Sequence, residues 1–339
     1  MKLSPRSSRV SIYVAVAVFA VVMVVLPLYL PQYQVLLISL VMIYATIGYG
    51  LNLLTGFAGR VSLGHTFFFA VGAYASTIFE ADLGWSEPLA GAAAIALSAL
   101  LGWLMGRPIL RFRGLQLALA TLALAVLTPL LIRRFSDLTG GEDGRPTPPL
   151  TFLDGTGLAT DQRGYYLALI VIAIAIVIYL WSCRPLVRMA LLVTAEQPVV
   201  AQTLGVNTTS LSTQVFTVSA GMAGAAGFVF VKVLGYVGAE SFGFMVAVSF
   251  LAMIVIGGSR SVVGPWLGAA FIVIVPSVAS DVSTAAPSAL YGLFLLLAVF
   301  LLPVGIGGAA ELGIRRLFRG ADGQVDAAEA DRRSSVSLH

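Results

Sequence analysis

A cluster of glycine and polar residues between positions 48 and 74 is the most informative part of the sequence. The cluster comprises Gly50, Asn52, Thr55, Gly56, Gly59, Ser62, Gly64 and His65, within an otherwise apolar run. In hydrocarbon every polar group needs an internal partner, and small residues let helices approach closely. The pattern favours a packing motif between helices. The alternative is a broken helix whose freed backbone groups line a translocation path.

Catalytic and metal chemistry find little support among the remaining residues. His65 has no obvious carboxylate partner for a nucleophile triad, so we expect it to pack between helices rather than to bind substrate. His65, His339 and the single cysteine, Cys183, are far apart, so no metal site is predicted. The only lysines, Lys2 and Lys232, do not belong to a G-x-x-x-x-G-K-[ST] phosphate loop, so we expect no ATPase activity of that kind and no cofactor.

The composition indicates where such a cluster must sit. The chain has 339 residues, of which 58% are apolar and 11% charged. Soluble domains have about 45–50% apolar and about 25% charged residues. This excess excludes a soluble enzyme, a disordered chain and a fibrous protein, and it leaves a polytopic membrane protein. The formal net charge of +4 is explained by basic residues in short loops, so nucleic acid is not an expected partner.

The sequence predicts an all-α integral membrane protein with about ten transmembrane helices, since a bilayer core needs about 20 apolar residues per helix. The predicted spans are 11–30, 33–54, 61–79, 86–106, 114–132, 164–182, 211–233, 243–257, 265–280 and 288–306. The first has too long an apolar stretch for a signal peptide and no small-x-small cleavage site after it, so we expect it to be retained.

Basic residues predict the orientation of these spans. With the N-terminus inside, 15 of the 20 lysine and arginine residues fall on the cytoplasmic side, and 10 of the 16 acidic residues fall outside. This asymmetry places both termini in the cytoplasm. The membrane domain 11–306 then lies between a cytoplasmic tail, 1–10, and a polar tail, 307–339, expected to be disordered. Loop 133–163 is external and expected to be ordered only by contact with something else, and loop 183–210 is cytoplasmic.

The segment from Gly50 to His65 resembles a known family. It matches the signature G-L-N-L-L-T-G-x-x-G-x-x-S-L-G-H of the permease subunits of bacterial ABC importers for branched-chain amino acids. Three further segments are similar to that family in the same order: residues 204–207, 234–242 and 257–269. The length and signatures are most similar to the longer of the two permease subunits.

The sequence departs from the family pattern at several positions. Leu192 and Ala195 replace basic residues, and Pro198 replaces an acid, in the cytoplasmic loop. Arg260 replaces a glycine and Ala239 replaces a proline further along the chain. These changes leave open which ATPase and which substrate the chain serves.

The resemblance implies several partners. They are a homologous second permease, two ABC ATPase subunits that bind the ATP, and a periplasmic or lipid-anchored binding protein, all at the bacterial inner membrane. Branched-chain amino acids are the expected substrates, and urea, short amides or other amino acids are alternatives. A stand-alone secondary carrier or channel is the rival class of protein.

The resemblance also implies two contact regions. The ATPase coupling loop would include Glu196, Ala201, Leu204 and Gly205. Residues Thr194 to Leu204 are predicted to form one short helix with Pro198 in its first turn, followed by Gly205. The alternative is a surface helix packed only on its own protein.

A second contact region is expected on the other side of the membrane. Tyr236, Glu240 and Ser241 would face a binding protein, within the segment that resembles the family. Lys232 and Glu240 flank this short outer segment. We expect their charges to be solvated, with the Lys232 chain snorkelling to the interface.

Overall fold

The computed structural model describes residues 17–112, 114–282 and 292. Both predicted tails, the first residues of span 11–30, and span 288–306 apart from Gly292 lie outside the described residues. Within the described part the chain folds into helices, which are α1 (Ala17–Leu28), α2 (Gln32–Leu51), α3 (His65–Ala81), α4 (Glu87–Ile109), α5 (Leu115–Arg134), α6 (Ser136–Thr139), α7 (Thr160–Ser182), α8 (Pro185–Glu196), α9 (Pro198–Thr203), α10 (Thr208–Leu234), α11 (Phe244–Gly257) and α12 (Gly264–Val282).

Two very short strands join distant loops. Strand β1 (Arg145–Pro146) pairs antiparallel with β2 (Tyr236–Val237), so that Arg145 lies opposite Val237. A short 3-10 turn, Ala239–Phe242, follows β2. The strands therefore tie the loop before α7 to the end of α10.

The all-α class predicted from the sequence is confirmed for the described residues. Five helical segments are long and apolar enough to cross a membrane, namely Gln32–Phe57, α4, α5, α7 and α10. Helices α1, α11 and α12 contain shorter apolar stretches. The count of ten spans and the direction of the termini stay predictions.

Two boundaries around the glycine cluster differ by a few residues from the predicted ones. Helix α2 does not stop at residue 54 but continues as a π-helical turn, Asn52–Phe57, which we call the π turn. Helix α3 starts at His65 and not at residue 61. The backbone leaves the helical region at Gly59, whose φ is +64°, and the chain needs several residues to turn back.

Helix α10 is the central helix of the fold, and glycine contacts hold α3 and α4 against it. A Cβ atom built on Gly72 of α3 would lie 2.1 Å from the carbonyl oxygen of Gly224. A Cβ on Gly227 of α10 would lie 2.1 Å from the carbonyl oxygen of Phe69. On the α4 side, a Cβ on Gly102 would lie 2.4 Å from that of Ala220. The backbones touch directly, as small residues allow in membrane helices.

Loop 133–163 is held by the chain itself, which corrects the expectation that an external contact would order it. Glu87, the buried first residue of α4, accepts hydrogen bonds from the backbone N–H of Thr151 at 2.7 Å and of Phe152 at 3.2 Å. Arg145 donates hydrogen bonds to the carboxylate of Asp82. That hydrogen bond, and then the guanidinium charge, holds the pKa of Asp82 below its usual value.

Lys232 does not snorkel to solvent, so the predicted solvation of this residue was wrong. Its side chain is 1% exposed, and its Nζ lies 2.6 Å from Oε2 of Glu80. The ammonium also donates a 3.1 Å hydrogen bond to the carbonyl oxygen of Pro148. A charge buried among helices needs an opposite charge and further hydrogen bonds, and α3 and the 133–163 loop provide them.

We expect Glu87→Ala to loosen the 133–163 loop. The substitution removes the acceptor for two backbone N–H groups, and a buried donor without a partner costs about 1–3 kcal/mol. Limited proteolysis should therefore cut between residues 153 and 157 faster than in the wild type. Glu142→Ala is the matched control, since Glu142 is 74% exposed in its pair with Arg133. Equal cleavage rates in the two variants would contradict the role of Glu87.

Candidate functional site

Asn52 joins the π turn to two other parts of the fold. Its side chain is fully buried, and its Nδ2 donates to the hydroxyl of Tyr179 at 3.1 Å and to the carbonyl oxygen of Ser261 at 2.8 Å. Its Oδ1 accepts from the backbone N–H of Arg260 at 2.7 Å. One amide therefore satisfies polar groups from α7 and from the connection between α11 and α12.

That connection, residues 258–263, packs on the π turn through further polar contacts. The hydroxyl of Tyr49 donates to the carbonyl oxygen of Val262 at 2.8 Å. The Nε of Arg260 donates to the carbonyl oxygen of Gly56 at 2.7 Å. We call the π turn and residues 258–263 together the junction. Two motifs that are about 200 residues apart in the sequence thus form one structure.

The glycines of the cluster permit these close approaches. A Cβ on Gly56 would lie 2.5 Å from Asn52 Oδ1, and a Cβ on Gly50 would lie 2.9 Å from Ser219 Oγ. A Cβ on Gly64 would lie 3.1 Å from a methyl group of Leu124. The expected packing geometry is present. A role of these residues in a translocation path stays a prediction.

His65 is satisfied by neighbouring hydroxyl groups. Its Nε2 lies 2.6 Å from Ser219 Oγ on α10, and its Nδ1 lies 3.2 Å from Ser62 Oγ. The ring is buried, with 1% of the residue exposed. These contacts agree with the expected helix-packing histidine. Ser62 also accepts a 3.4 Å hydrogen bond from the backbone of Gly64.

Thr55 and Arg60 complete the turn between α2 and α3. The hydroxyl of Thr55 donates to the carbonyl oxygen of Arg60 at 3.3 Å. The guanidinium of Arg60 donates to the carbonyl oxygens of Leu110 at 3.3 Å and Phe112 at 2.9 Å. The turn is therefore attached to the connection between α4 and α5.

The predicted coupling helix proves to be two helices. Helix α8 ends at Glu196, Gln197 leaves the helical region with φ −138° and ψ 74°, and α9 begins at Pro198. The single helix from Thr194 to Leu204 was wrong because a residue before proline is disfavoured in the α conformation. Pro198 still occupies a first turn, where its missing N–H costs nothing.

Residues Leu204 to Asn207 turn the chain from α9 into α10. Gly205 has φ +80°, and the N–H of Val206 donates to the carbonyl oxygen of Ala201 at 3.0 Å, as in a Schellman motif. Asn207 then caps α10 by accepting from the N–H of Ser210 at 2.9 Å. The prediction that Gly205 ends the preceding helix is confirmed. Ala201 is fully buried in this turn.

Helix α8 contacts the junction at two places and the adjoining Gly59 at a third. A Cβ on Gly59 would lie 2.9 Å from that of Ala195, and the Arg188 guanidinium lies 5.4 Å from the centre of the Phe57 ring. The third contact is between Glu196 and Arg260, whose charged atoms are 3.9 Å apart. The loop 183–210 therefore contacts the glycine cluster directly.

Helices α8 and α9 also expose large apolar side chains, including the predicted coupling residue Leu204, which is 71% exposed. The exposed residues are Leu186, Met189, Val199, Val200 and Leu204, and we call them the apolar patch. Helix α8 has 12 residues and is too short to cross a bilayer. A membrane span therefore does not account for the exposure of these side chains.

Of the predicted outer contact residues, Tyr236 contacts the 133–163 loop. The hydroxyl of Tyr236 donates to the carbonyl oxygen of Asp143, so this residue helps to fasten the loop. Glu240 is exposed, and the N–H of Ser241 donates to the carbonyl oxygen of Gly238 at 3.2 Å. Their contact with a binding protein stays a prediction.

Sequence reasoning missed three partners of the cluster. Ser219 lies in a run of small residues that signalled helix packing but not a histidine partner. Tyr179 looked like an ordinary apolar-span aromatic. Arg260 was noticed only as a departure from the family glycine. Among the described residues, no three His, Cys, Asp or Glu side chains are grouped to hold a metal ion.

The apolar helices, their glycine contacts and the buried polar junction define a multi-pass α-helical membrane protein. Residues 33–303 match the family described as the permease component of branched-chain amino acid transport systems, and the chain belongs to that family.

Individual relatives agree with this assignment. The chain is 30% identical to the high-affinity branched-chain amino acid transport system permease protein LivM of Salmonella typhimurium, over 83% of the chain and 71% of LivM. It is also 30% identical to LivM of Escherichia coli K12, over 77% of the chain and 67% of LivM. Identity to the corresponding permease protein LivH of the same E. coli strain is 25%, over 79% of the chain and 92% of LivH.

We expect Gly59→Ala to destabilise the contact between the glycine cluster and α8. A side chain at Gly59 raises the free energy of the left-handed backbone conformation by about 1–2 kcal/mol. It also overlaps Ala195. Gly84→Ala is the matched control, because Gly84 has φ +66° and no atom within 4 Å of the added Cβ. The melting temperature in detergent should fall further for Gly59→Ala. Equal shifts would show that Ala195 does not press on this glycine.

Proposed function

We propose that this chain is the transmembrane permease subunit of an ATP-binding-cassette importer of branched-chain amino acids. The observation that carries the proposal is the family match over residues 33–303. The chain forms the translocation path together with a homologous second permease. LivM and LivH, both similar to this chain, are named as permease proteins of the same kind of transport system, which supports such a pairing.

The energy for transport comes from separate ATPase subunits. The sequence has no phosphate loop of its own, and the chain binds neither ATP nor another cofactor. Exposed apolar clusters on a protein surface mark interaction sites, and the apolar patch of α8 and α9 is such a cluster. The ATPases dock there, with Glu196 beside the patch as the charged member of the contact.

The apolar patch faces the cytoplasm, on the inner side of a bacterial inner membrane. The distribution of basic residues supports it, since loop 183–210 carries Arg184 and Arg188 while the opposite loops are rich in acids. A soluble or lipid-anchored binding protein then approaches the other side. There it contacts Tyr236, which is fastened to the loop 133–163, and the nearby residues Glu240 and Ser241.

Cysteine labelling tests the orientation. In a Cys183→Ser background, we expect a membrane-impermeant thiol reagent added outside to label Asp143→Cys and not Gln197→Cys. Both positions are exposed, so accessibility within the fold does not separate them. Labelling of both positions after the membrane is opened is the control. The reverse pattern in sealed cells would contradict the orientation.

We expect Gly205→Val to uncouple the ATPases from this subunit. A β-branched residue cannot easily adopt φ +80°, so the turn that presents α9 is distorted. ATPase co-purification should fall, and Glu196→Lys should weaken it by charge reversal. Gly235→Val is the matched control, since Gly235 has φ +71° and equally open surroundings at the far end of α10. Undiminished co-purification and normal uptake in both Gly205→Val and Glu196→Lys would exclude this loop as the coupling surface.

Reconstitution tests the function itself. Proteoliposomes are prepared that contain this chain, the second permease and the two ATPases. They should transport leucine only when ATP is present on the ATPase side of the membrane and the binding protein is present on the opposite side. Leucine uptake by this chain alone would instead support the secondary carrier or channel. Mass spectrometry of the ligand that co-purifies with the binding protein separates branched-chain amino acids from urea, short amides and other amino acids.

A further inference from the structure

We propose that Arg260 is a positioning residue that transmits movement of α8 to the junction. This inference rests on the proposed function, because it gives α8 and α9 the role of receiving work from the ATPases. Arg260 contacts the π turn through two of its groups and approaches α8 through a third. Its position in the connection between α11 and α12 makes it a bridge among three elements.

The first part of the bridge is the hold of Arg260 on the π turn. Its backbone N–H donates to Asn52 Oδ1 at 2.7 Å, and its Nε donates to the carbonyl oxygen of Gly56 at 2.7 Å. A carbonyl in the last turn of a helix lacks an intrahelical donor, and a guanidinium supplies one with a charge-assisted bond. A displacement of Arg260 therefore displaces both ends of the π turn.

The second part is the approach of Arg260 to α8. Its Nη2 lies 3.9 Å from Oε1 of Glu196, the last residue of that helix. Both side chains are substantially exposed, so the pair adds little to stability. The pair nevertheless brings a carboxylate of α8 next to the same guanidinium that binds the π turn. One side chain thus connects the segment beside the apolar patch with the buried amide of Asn52.

The backbone conformation of Arg260 indicates that its side chain has a functional role. Its φ is +71°, a region that favours glycine. An arginine at this φ accepts a conformational cost that glycine would avoid, and it brings a guanidinium to the π turn. A non-glycine residue held in this region marks a strained site, and such sites cluster where function requires them.

The remaining contacts of α8 with the junction explain how Arg260 acts as a lever. Ala195 rests against Gly59, and Arg188 lies over the ring of Phe57, so α8 is seated on one side of the π turn. The Glu196–Arg260 pair attaches the end of α8 to the other side. When α8 rotates about its contacts with Gly59 and Phe57, residues 258–263 and Asn52 move with it, because Arg260 joins them.

The experiment compares transported leucine per ATP hydrolysed in the reconstituted importer. Arg260→Gly removes the guanidinium and relieves the backbone, so the melting temperature should not fall. We expect leucine transported per ATP to fall about three- to tenfold, which corresponds to the loss of one hydrogen bond with a net value of about 1 kcal/mol, that of Nε to Gly56. Arg260→Asn, which also tolerates a positive φ, should give the same loss.

Glu196→Gln separates the two halves of the bridge. If Arg260 receives movement through Glu196, this variant should also lower leucine transported per ATP. Glu196 is also proposed to contact the ATPases, so the variants are compared at equal amounts of bound ATPase. Under that condition the double variant Glu196→Gln/Arg260→Gly should be no worse than Arg260→Gly alone, because the two changes break one connection. Additive losses in the double variant would overturn the link to α8.

The failure of this inference differs from the failure of the proposed function. An unchanged ratio in both Arg260→Gly and Arg260→Asn, with ATP-dependent uptake intact in the wild type, overturns the role of Arg260 alone. A lower ratio in Arg260→Asn that Arg260→Gly does not share also overturns it, because the loss would then come from backbone strain and not from the missing guanidinium. A wild-type importer without ATP-dependent leucine uptake contradicts the proposed function first.

Discussion

Direct backbone contact between α3 and α10 is the constraint on which the rest of the structure depends. In lipid there is little hydrophobic gain when two apolar helices meet, so close van der Waals packing must supply the attraction. Gly72 and Gly227 provide it, because the opposing carbonyl oxygens occupy the space that a Cβ would need. With the two helices this close, the Ser219 hydroxyl reaches the ring of His65 at 2.6 Å. The start of α3 and the position of the π turn follow from that contact.

The junction shows how polar groups can be placed within an apolar framework. Asn52 would be costly inside a bilayer without partners, and here both of its side-chain functions are bonded. Its partners come from backbone that is irregular and therefore rich in unpaired groups. Asn52 and the irregular segment therefore each provide hydrogen-bond partners to the other, and this removes the free-energy cost of burying unpaired polar groups. This reciprocity accounts for the presence of both motifs in one chain.

Sequence patterns were sufficient for the helices but not for the connections between them. Long apolar runs set the position of α4, α7 and α10 within a few residues, since burial in lipid acts on every residue of a span. Lys232 was different, because an apolar run reveals nothing about a carboxylate on another helix. Glu80 is distant in sequence, and only the packing of α3 on α10 brings the charges to 2.6 Å.

In the candidate site, the sequence could predict backbone features that depend on single residues but not hydrogen bonds between distant segments. Gly205 could be assigned to a helix end because its freedom at positive φ is an intrinsic property. The break at Gln197 followed from the next residue, Pro198, and could have been read from the same rule. The partners of Asn52 and His65 could not, because each depends on tertiary contacts.

The Glu80–Lys232 pair has a consequence for how the chain is made. The two residues are about 150 positions apart, so at usual elongation rates the acid leaves the ribosome about 8–30 s before the base. During that interval the end of α3 has a carboxylate without its cation. This end must stay hydrated, and α3 cannot be sealed among its neighbours until α10 arrives. A nascent chain that lacks residue 232 keeps an unmatched acid at the end of α3, so burial of this end costs more free energy there than in the finished protein.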